Sequence, residues 1–165
     1  MDRLILLRHG KAESESPSGE DFDRRLAPRG ERESAAMAAH LADLGLSPDV
    51  ALVSPSARTR DTWAAAEASF PNARVAFSDG LYHSDSEDVR RVAEAAGKTA
   101  RTVMVVGHNP GLQELTVRLL MEGHAPSALI AKAQQRFPTA TAAVFLFDGE
   151  GRPAYDGLFY PERGD

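Results

Sequence analysis

Three short stretches of this 165-residue chain carry residue types able to grip and attack an anion: Arg8-His9-Gly10, Ser54-Pro55-Ser56-Ala57-Arg58 and Gly107-His108-Asn109-Pro110. Arginine presents a planar fork that meets oxyanions two bonds at a time. A neutral imidazole is a competent nucleophile near neutral pH, because its reference pKa is only about 6.5. Two arginines, one protonated histidine and one neutral histidine therefore suit phosphoryl transfer, where catalysis is mainly positioning plus stabilisation of charge spread over three oxygens. In that reading one of the two imidazoles, His9 or His108, is the nucleophile, and the other holds the phosphoryl group together with Arg8 and Arg58. Metal binding by the two histidines is the competing chemistry. Two neighbouring arginines would repel a cation, and no Asp, Glu or Cys directly follows either histidine to complete a ligand set, so a metal is not expected.

These residues can act together only if the fold gathers them, and the hydrophobic pattern says how. Leu4-Ile5-Leu6-Leu7, Val50-Ala51-Leu52-Val53 and Thr102-Val103-Met104-Val105-Val106 are short continuous apolar runs, the signature of strands buried on both faces. Residues 73–77 form a weaker third strand. Residues 13–30 are polar and read as a loop. A helix follows Gly30, striped by Met37, Leu41 and Leu44, and a second opens at Ser54-Pro55, striped by Thr59, Thr62, Trp63, Ala66 and Phe70. Ser84 and Glu87 have capping-box spacing before Val89, Val92, Ala93 and Ala96. Asn109-Pro110 opens a fourth helix, striped by Leu112, Leu115, Leu119 and Leu120, whose N-terminal N–H groups would face the crevice. Residues 123–138 are a looser segment. Residues 141–147 and 154–160 are two strands joined by the turn Asp148-Gly149-Glu150-Gly151. Strands alternating with helices predict a three-layer α/β/α sandwich with a mainly parallel sheet and a C-terminal antiparallel hairpin. All three reactive stretches follow a strand, and the carboxyl ends of parallel strands are where such sheets place their sites.

Composition narrows the partners. With 19 Lys+Arg against 24 Asp+Glu the net charge is −5, which argues against nucleic acid. Sixteen of the 19 basic residues are arginine, and the chain has no cysteine, which excludes disulfides and thiolate chemistry. No apolar run is long enough for a membrane span, and the Leu4 to Leu7 run is too short for a secretory leader. One cytoplasmic domain covering 1–165 is the expectation, with a phosphate-bearing substrate and neither nucleic acid nor membrane as a partner.

The three stretches, with Thr62 in the second, resemble the histidine phosphatase superfamily, whose fold is phosphoglycerate mutase-like. The resemblance runs along nearly the whole chain. Leu81-Tyr82-His83-Ser84 and the run from Gly107 to Leu112 look most like the small phosphohistidine phosphatases of the SixA type. It implies that His9 becomes transiently phosphorylated before water releases phosphate, that Arg8, Arg58 and His108 line the phosphate pocket, and that no cofactor is needed. His9 would be aimed by a hydrogen bond from its other ring nitrogen to a main-chain carbonyl.

One departure bears on the substrate. Many superfamily members carry a carboxylic acid shortly after the third strand to protonate the leaving group, whereas His83 falls there in this chain. General acid help is typically 10²–10⁴-fold. An imidazole leaving group has a reference pKa about nine units below that of water and departs with less help than an alkoxide. Phosphohistidine, on a protein, is therefore the expected substrate. A phosphatase for small esters or nucleotides with the same nucleophile, and a silent phosphate-binding or phosphocarrier module, are the alternatives. Asn109, Lys11, Arg25 and His83 are candidate substrate-binding residues around the pocket, with Arg29 a further basic neighbour. The acidic stretch from Glu13 to Asp23 is expected to be a solvated loop. Short connections elsewhere predict an open, shallow site.

Overall fold

A computed structural model describes residues 1–162; the last three positions of the expected 1–165 span lie outside the described residues. Six strands form one sheet: β1 (Arg3–Arg8), β2 (Val50–Val53), β3 (Arg74–Phe77), β4 (Thr102–Gly107), β5 (Ala142–Phe147) and β6 (Pro153–Phe159). Their order is β3-β2-β4-β1-β5-β6. The first four are parallel, while β5 runs antiparallel to both β1 and β6. The expected sandwich with its antiparallel pair is the observed architecture.

Alternation along the strands sorts the core into two layers. Leu4, Leu6, Val103 and Val105 face one side, covered by α3 (Ser86–Ala96), α4 (Gly111–Glu122) and α5 (Ser127–Gln135). Ile5, Leu7, Met104 and Val106 face the other, against α1 (Pro28–Asp43) and α2 (Ala57–Ala66). β1 and β4 are buried on both sides because they are central, which is why their sequences read as unbroken apolar runs. β3 is an exposed edge, so its pattern is weak.

Several boundaries differ from the sequence reading. α1 begins at Pro28, with proline's fixed φ at the first turn, and so takes in Gly30. Leu44 is its C-cap and is 51% exposed, outside the apolar stripe. α2 begins at Ala57, not at Pro55. The capping box belongs to Asp85 and Asp88: Asp85 accepts from Asp88 N–H at 2.8 Å, and Ser84 instead donates to the Leu81 carbonyl. α4 begins at Gly111, and its first turn is occupied: Leu112 N–H bonds the His108 carbonyl, and Gly111 abuts the main chain of Ser84. The looser segment, residues 123–138, contains the helix α5, which its sequence does not announce. Among the described residues no helix is long and apolar enough to cross a membrane.

One close crossing fixes the start of the site. Gly30 in α1 lies against Lys11 just after β1; a Cβ on Gly30 would sit 2.1 Å from the Lys11 carbonyl oxygen. A Cβ on Gly10 would likewise meet the Gly30 oxygen at 2.5 Å. Only residues without side chains allow these two backbones to approach so closely.

Candidate active site

Arg8 is the last residue of β1 and His9 the first beyond it. The His9 main chain is held on both sides, its N–H donating to the Gly107 carbonyl and its own carbonyl accepting from Ala140 N–H. The ring is 7% exposed. Its Nδ1 lies 2.7 Å from the Gly10 carbonyl, and because a carbonyl only accepts, Nδ1 carries the proton. Nε2 is left as the lone-pair nitrogen. The His9 pKa is lowered from 6.5 to about 4, by burial first and then by the charges of Arg8, Arg58 and Arg24, against the opposing pull of the Gly10 bond. His9 is therefore neutral at physiological pH. Gly10 is itself pinned: its N–H donates to Thr62 Oγ1, and that hydroxyl donates to the Arg58 carbonyl. Thr62 thus couples the nucleophile's turn to the helix that carries Arg58.

His108 follows β4, and its ring centroid is 5.3 Å from that of His9. Its Nε2 is 2.8 Å from Ser54 Oγ, which follows β2. Burial first, then the His9 ring and Arg58, lower the His108 pKa to about 3. The expectation of a protonated His108 is thereby corrected: burial beside a second imidazole and Arg58 disfavours charge on this ring. When Ser54 Oγ donates to Nε2, the proton sits on Nδ1, a buried nitrogen with no partner in the protein. Arg8 Nη1 and Asn109 Nδ2 both donate to the Phe137 carbonyl, at 2.8 Å and 3.0 Å. The ends of β1 and β4 are thus tied to the loop after α5. Asn109 is turned to this brace.

Arg58 is buried at 7% exposure in the first turn of α2. Its Nη2 bonds Asp21 Oδ2 at 3.1 Å and its Nη1 the Asp21 carbonyl at 3.0 Å, while Nε has no partner. Tyr82 Oη donates to the same Oδ2 at 2.8 Å, and Arg24 Nε to Oδ1 at 3.0 Å. The phenol and the two guanidiniums hold the Asp21 carboxyl far below the usual carboxylate range. Asp21 is therefore a fixed anion. It belongs to the stretch read as a solvated loop, whose acidic side chains are exposed as expected, and it bonds the buried Arg58 in addition; the expected open, shallow site is corrected, because His9 and Arg58 are both 7% exposed.

A family model for the histidine phosphatase superfamily (branch 1) matches residues 4–85. An uncharacterised chloroplastic protein of Arabidopsis thaliana is 30% identical over 97% of this chain and 78% of that protein. This chain belongs to the histidine phosphatase superfamily. A solved protein of Agrobacterium tumefaciens, provisionally assigned as the phosphohistidine phosphatase SixA, is 31% identical with a TM-score of 0.84, covering 97% of this chain and 98% of that one. Phosphoglycerate mutase from Plasmodium falciparum, 16% identical, shares the fold at a TM-score of 0.65 over 99% of this chain and 96% of that one.

Of the sequence-predicted residues of this superfamily member, the structure brings Arg8, His9, Arg58, His108 and Asn109 together at the carboxyl ends of β1, β2 and β4. The others lie further out. Lys11 is exposed beside the Gly30 crossing. Arg25 points to α2, where its Nε and Nη2 bond the Asp61 carboxylate at 3.1 Å and 2.8 Å. It braces α2 through two of its nitrogens, while its side chain stays 71% exposed. Arg29 is likewise paired with Glu33. His83 is exposed at φ 56°, with its ring 4.0 Å from the Tyr82 ring, and it is Tyr82 that stands next to His108 at 5.7 Å. Sequence reasoning missed Asp21, Arg24, Ser54 and Tyr82 as site residues. Tyr82 and Ser54 stood inside motifs already singled out. Asp21 carried no signal, because its contact with Arg58 across 37 residues leaves no periodicity, and Arg24 enters the site only through Asp21.

Proposed function

We propose that this chain is a metal-independent phosphohistidine phosphatase acting through a phosphorylated His9. The observation that carries the proposal is the bond from His9 Nδ1 to the Gly10 carbonyl at 2.7 Å, which leaves Nε2 unprotonated and aims it. In the first step the Nε2 lone pair bonds phosphorus. The P–N bond of the substrate breaks, and its electron pair leaves with the substrate imidazole, whose other nitrogen carries a proton. His9 keeps its Nδ1 proton throughout, so the Gly10 carbonyl steadies the cationic phosphoimidazole. In the second step water attacks phosphorus, the electron pair of the P–N bond returns to Nε2, and both protons of the water stay with the phosphate, released as the dihydrogen monoanion. Arg8, Arg58 and the Nδ1 proton of His108 serve the equatorial oxygens.

The preference for phosphohistidine over esters rests on the lack of an acid. Asp21 is a carboxylate in the site, but three donors keep it ionised, so it cannot protonate an alkoxide. An imidazole needs no such donor. Two arginines beside the histidines support metal independence, and among the described residues no three His, Cys, Asp or Glu side chains gather to hold a metal ion. A protein-borne substrate and a cytoplasmic location belong to the same proposal. The test is a panel of protein-bound phosphohistidine, an aryl phosphate and phosphoserine at fixed pH, with His9→Ala as control. Turnover of phosphohistidine well above phosphoserine, lost in His9→Ala, is expected. Equal turnover of both would make the chain an ester phosphatase, and full activity in His9→Ala would remove the nucleophile.

A further inference from the structure

The connection between β1 and α1 is pinned at its base and docked at its tip. At the base, Ala12 bridges Leu26, Glu13 N–H donates to the Arg25 carbonyl, and Asp61 holds both Arg25 and the Leu26 N–H. At the tip, residues 21–23 form a 3₁₀ turn. From that turn one side chain collects Arg58, Arg24 and Tyr82, and the next residue, Phe22, lies edge-on against the Tyr82 ring at 5.0 Å. A planar fork, a second arginine and a hydroxyl converging on two oxygens form the donor set a phosphoryl group would use. The innermost of them, Arg58, is buried, and both its terminal nitrogens are already taken by Asp21.

We propose that Asp21 is an internal stand-in for the substrate's phosphoryl group, and that residues 14–24 must release Arg58 before substrate can bind. The inference rests on the reading of the site given above. A phosphoryl dianion competes well for these donors, because it carries more charge than a carboxylate. It also has a third oxygen, left to take a further donor when the other two hold Arg58. Displacing Asp21 frees Tyr82 and Phe22 together, so the segment swings from the clamp at Ala12 and Leu26 and gives up Arg58. The device is selective: a ligand must offer an oxyanion stronger than a carboxylate, which favours phosphoryl groups over the acidic side chains on any protein surface.

The opposite arrangement, in which Asp21 stays and orients Arg58, predicts effects of opposite sign. Inorganic phosphate is the probe, titrated calorimetrically into the full chain. If the docked segment holds about nine-tenths of the molecules closed, Asp21→Ala binds phosphate about tenfold more tightly than the wild type. Tyr82→Phe removes one anchor and leaves Arg58 untouched, and tightens binding by a smaller factor. Hydrogen exchange of residues 14–24 in the wild type speeds up on saturation with phosphate. Weaker phosphate binding by either variant, or slower exchange of 14–24 on saturation, overturns the proposal while leaving the catalytic reading intact. Should Asp21→Ala fail to fold, Tyr82→Phe and the wild-type exchange carry the test. A wild type that neither binds phosphate nor turns over any phosphorylated substrate overturns the catalytic reading, and this proposal with it.

Discussion

Replacing His9 with Gln should flatten the acid dependence of stability, and the size of the effect follows from the state of the ring. In the unfolded chain His9 titrates at its ordinary 6.5; in the fold, burial and the arginines bring it to about 4. Between those values the unfolded chain takes up a proton that the folded chain refuses. Stability is therefore full above the unfolded value, falls as pH drops through the window, and levels off below the folded value. At about pH 5 the loss from this one ring is about 2 kcal/mol. His108, lowered to about 3, adds a loss of the same sign but is present in both proteins. Carboxylates contribute little until the pH falls below about 4.5. The assay is urea unfolding at about pH 7.5 and about pH 5, followed by the fluorescence of Trp63, the only tryptophan and 4% exposed. The wild type should lose about 2 kcal/mol more than His9→Gln between the two conditions. Equal losses would mean that the folded protein protonates His9 as readily as the unfolded chain does, and the account of a neutral nucleophile would fail.

Three further substitutions probe the supports of the site. Gly30→Ala drives a methyl group to 2.1 Å from the Lys11 carbonyl oxygen, and since the Cβ is fixed by the helix and the oxygen belongs to main chain it should cost about 2 kcal/mol or more of stability; unchanged urea midpoints would refute the close crossing. Ser54→Ala strips His108 of its Nε2 partner and should lower kcat/KM about tenfold with little change in melting temperature; an unaltered kcat/KM would show that His108 needs no orientation. His83→Asn should leave the ratio of ester to phosphohistidine turnover unchanged, because the ring is exposed and asparagine tolerates its φ of 56°; a selective loss on esters would reinstate His83 as an acid.

The parts of this structure legible in the sequence were those written locally. β2 is found at Val50–Val53 as read, and every other strand lies within a residue or two of its apolar run, because central strands need continuous hydrophobicity. Knowing that parallel strands end where sites form was enough to gather Arg8, His9, Arg58 and His108. α5 escaped because its nine residues bury only Ala133 fully and follow a stretch broken by Gly123 and Pro126. Asp21 escaped for a different reason. Its exposed, acidic surroundings match a solvated loop, and only the tertiary fold brings it to a buried arginine 37 residues away. The charge state of His108 was misread because burial, the largest cause of its shift, is set by the packing of three strand ends and has no counterpart in residue type.

Rapid acid-free quenching of the wild type during turnover of phosphohistidine, followed by mass spectrometry of the denatured chain, tests the nucleophile most directly. Phosphate attached to the His9 ring, acid-labile and absent from His9→Ala, is the predicted result. Turnover that proceeds with no phosphate on His9, or with phosphate on another side chain, would contradict it.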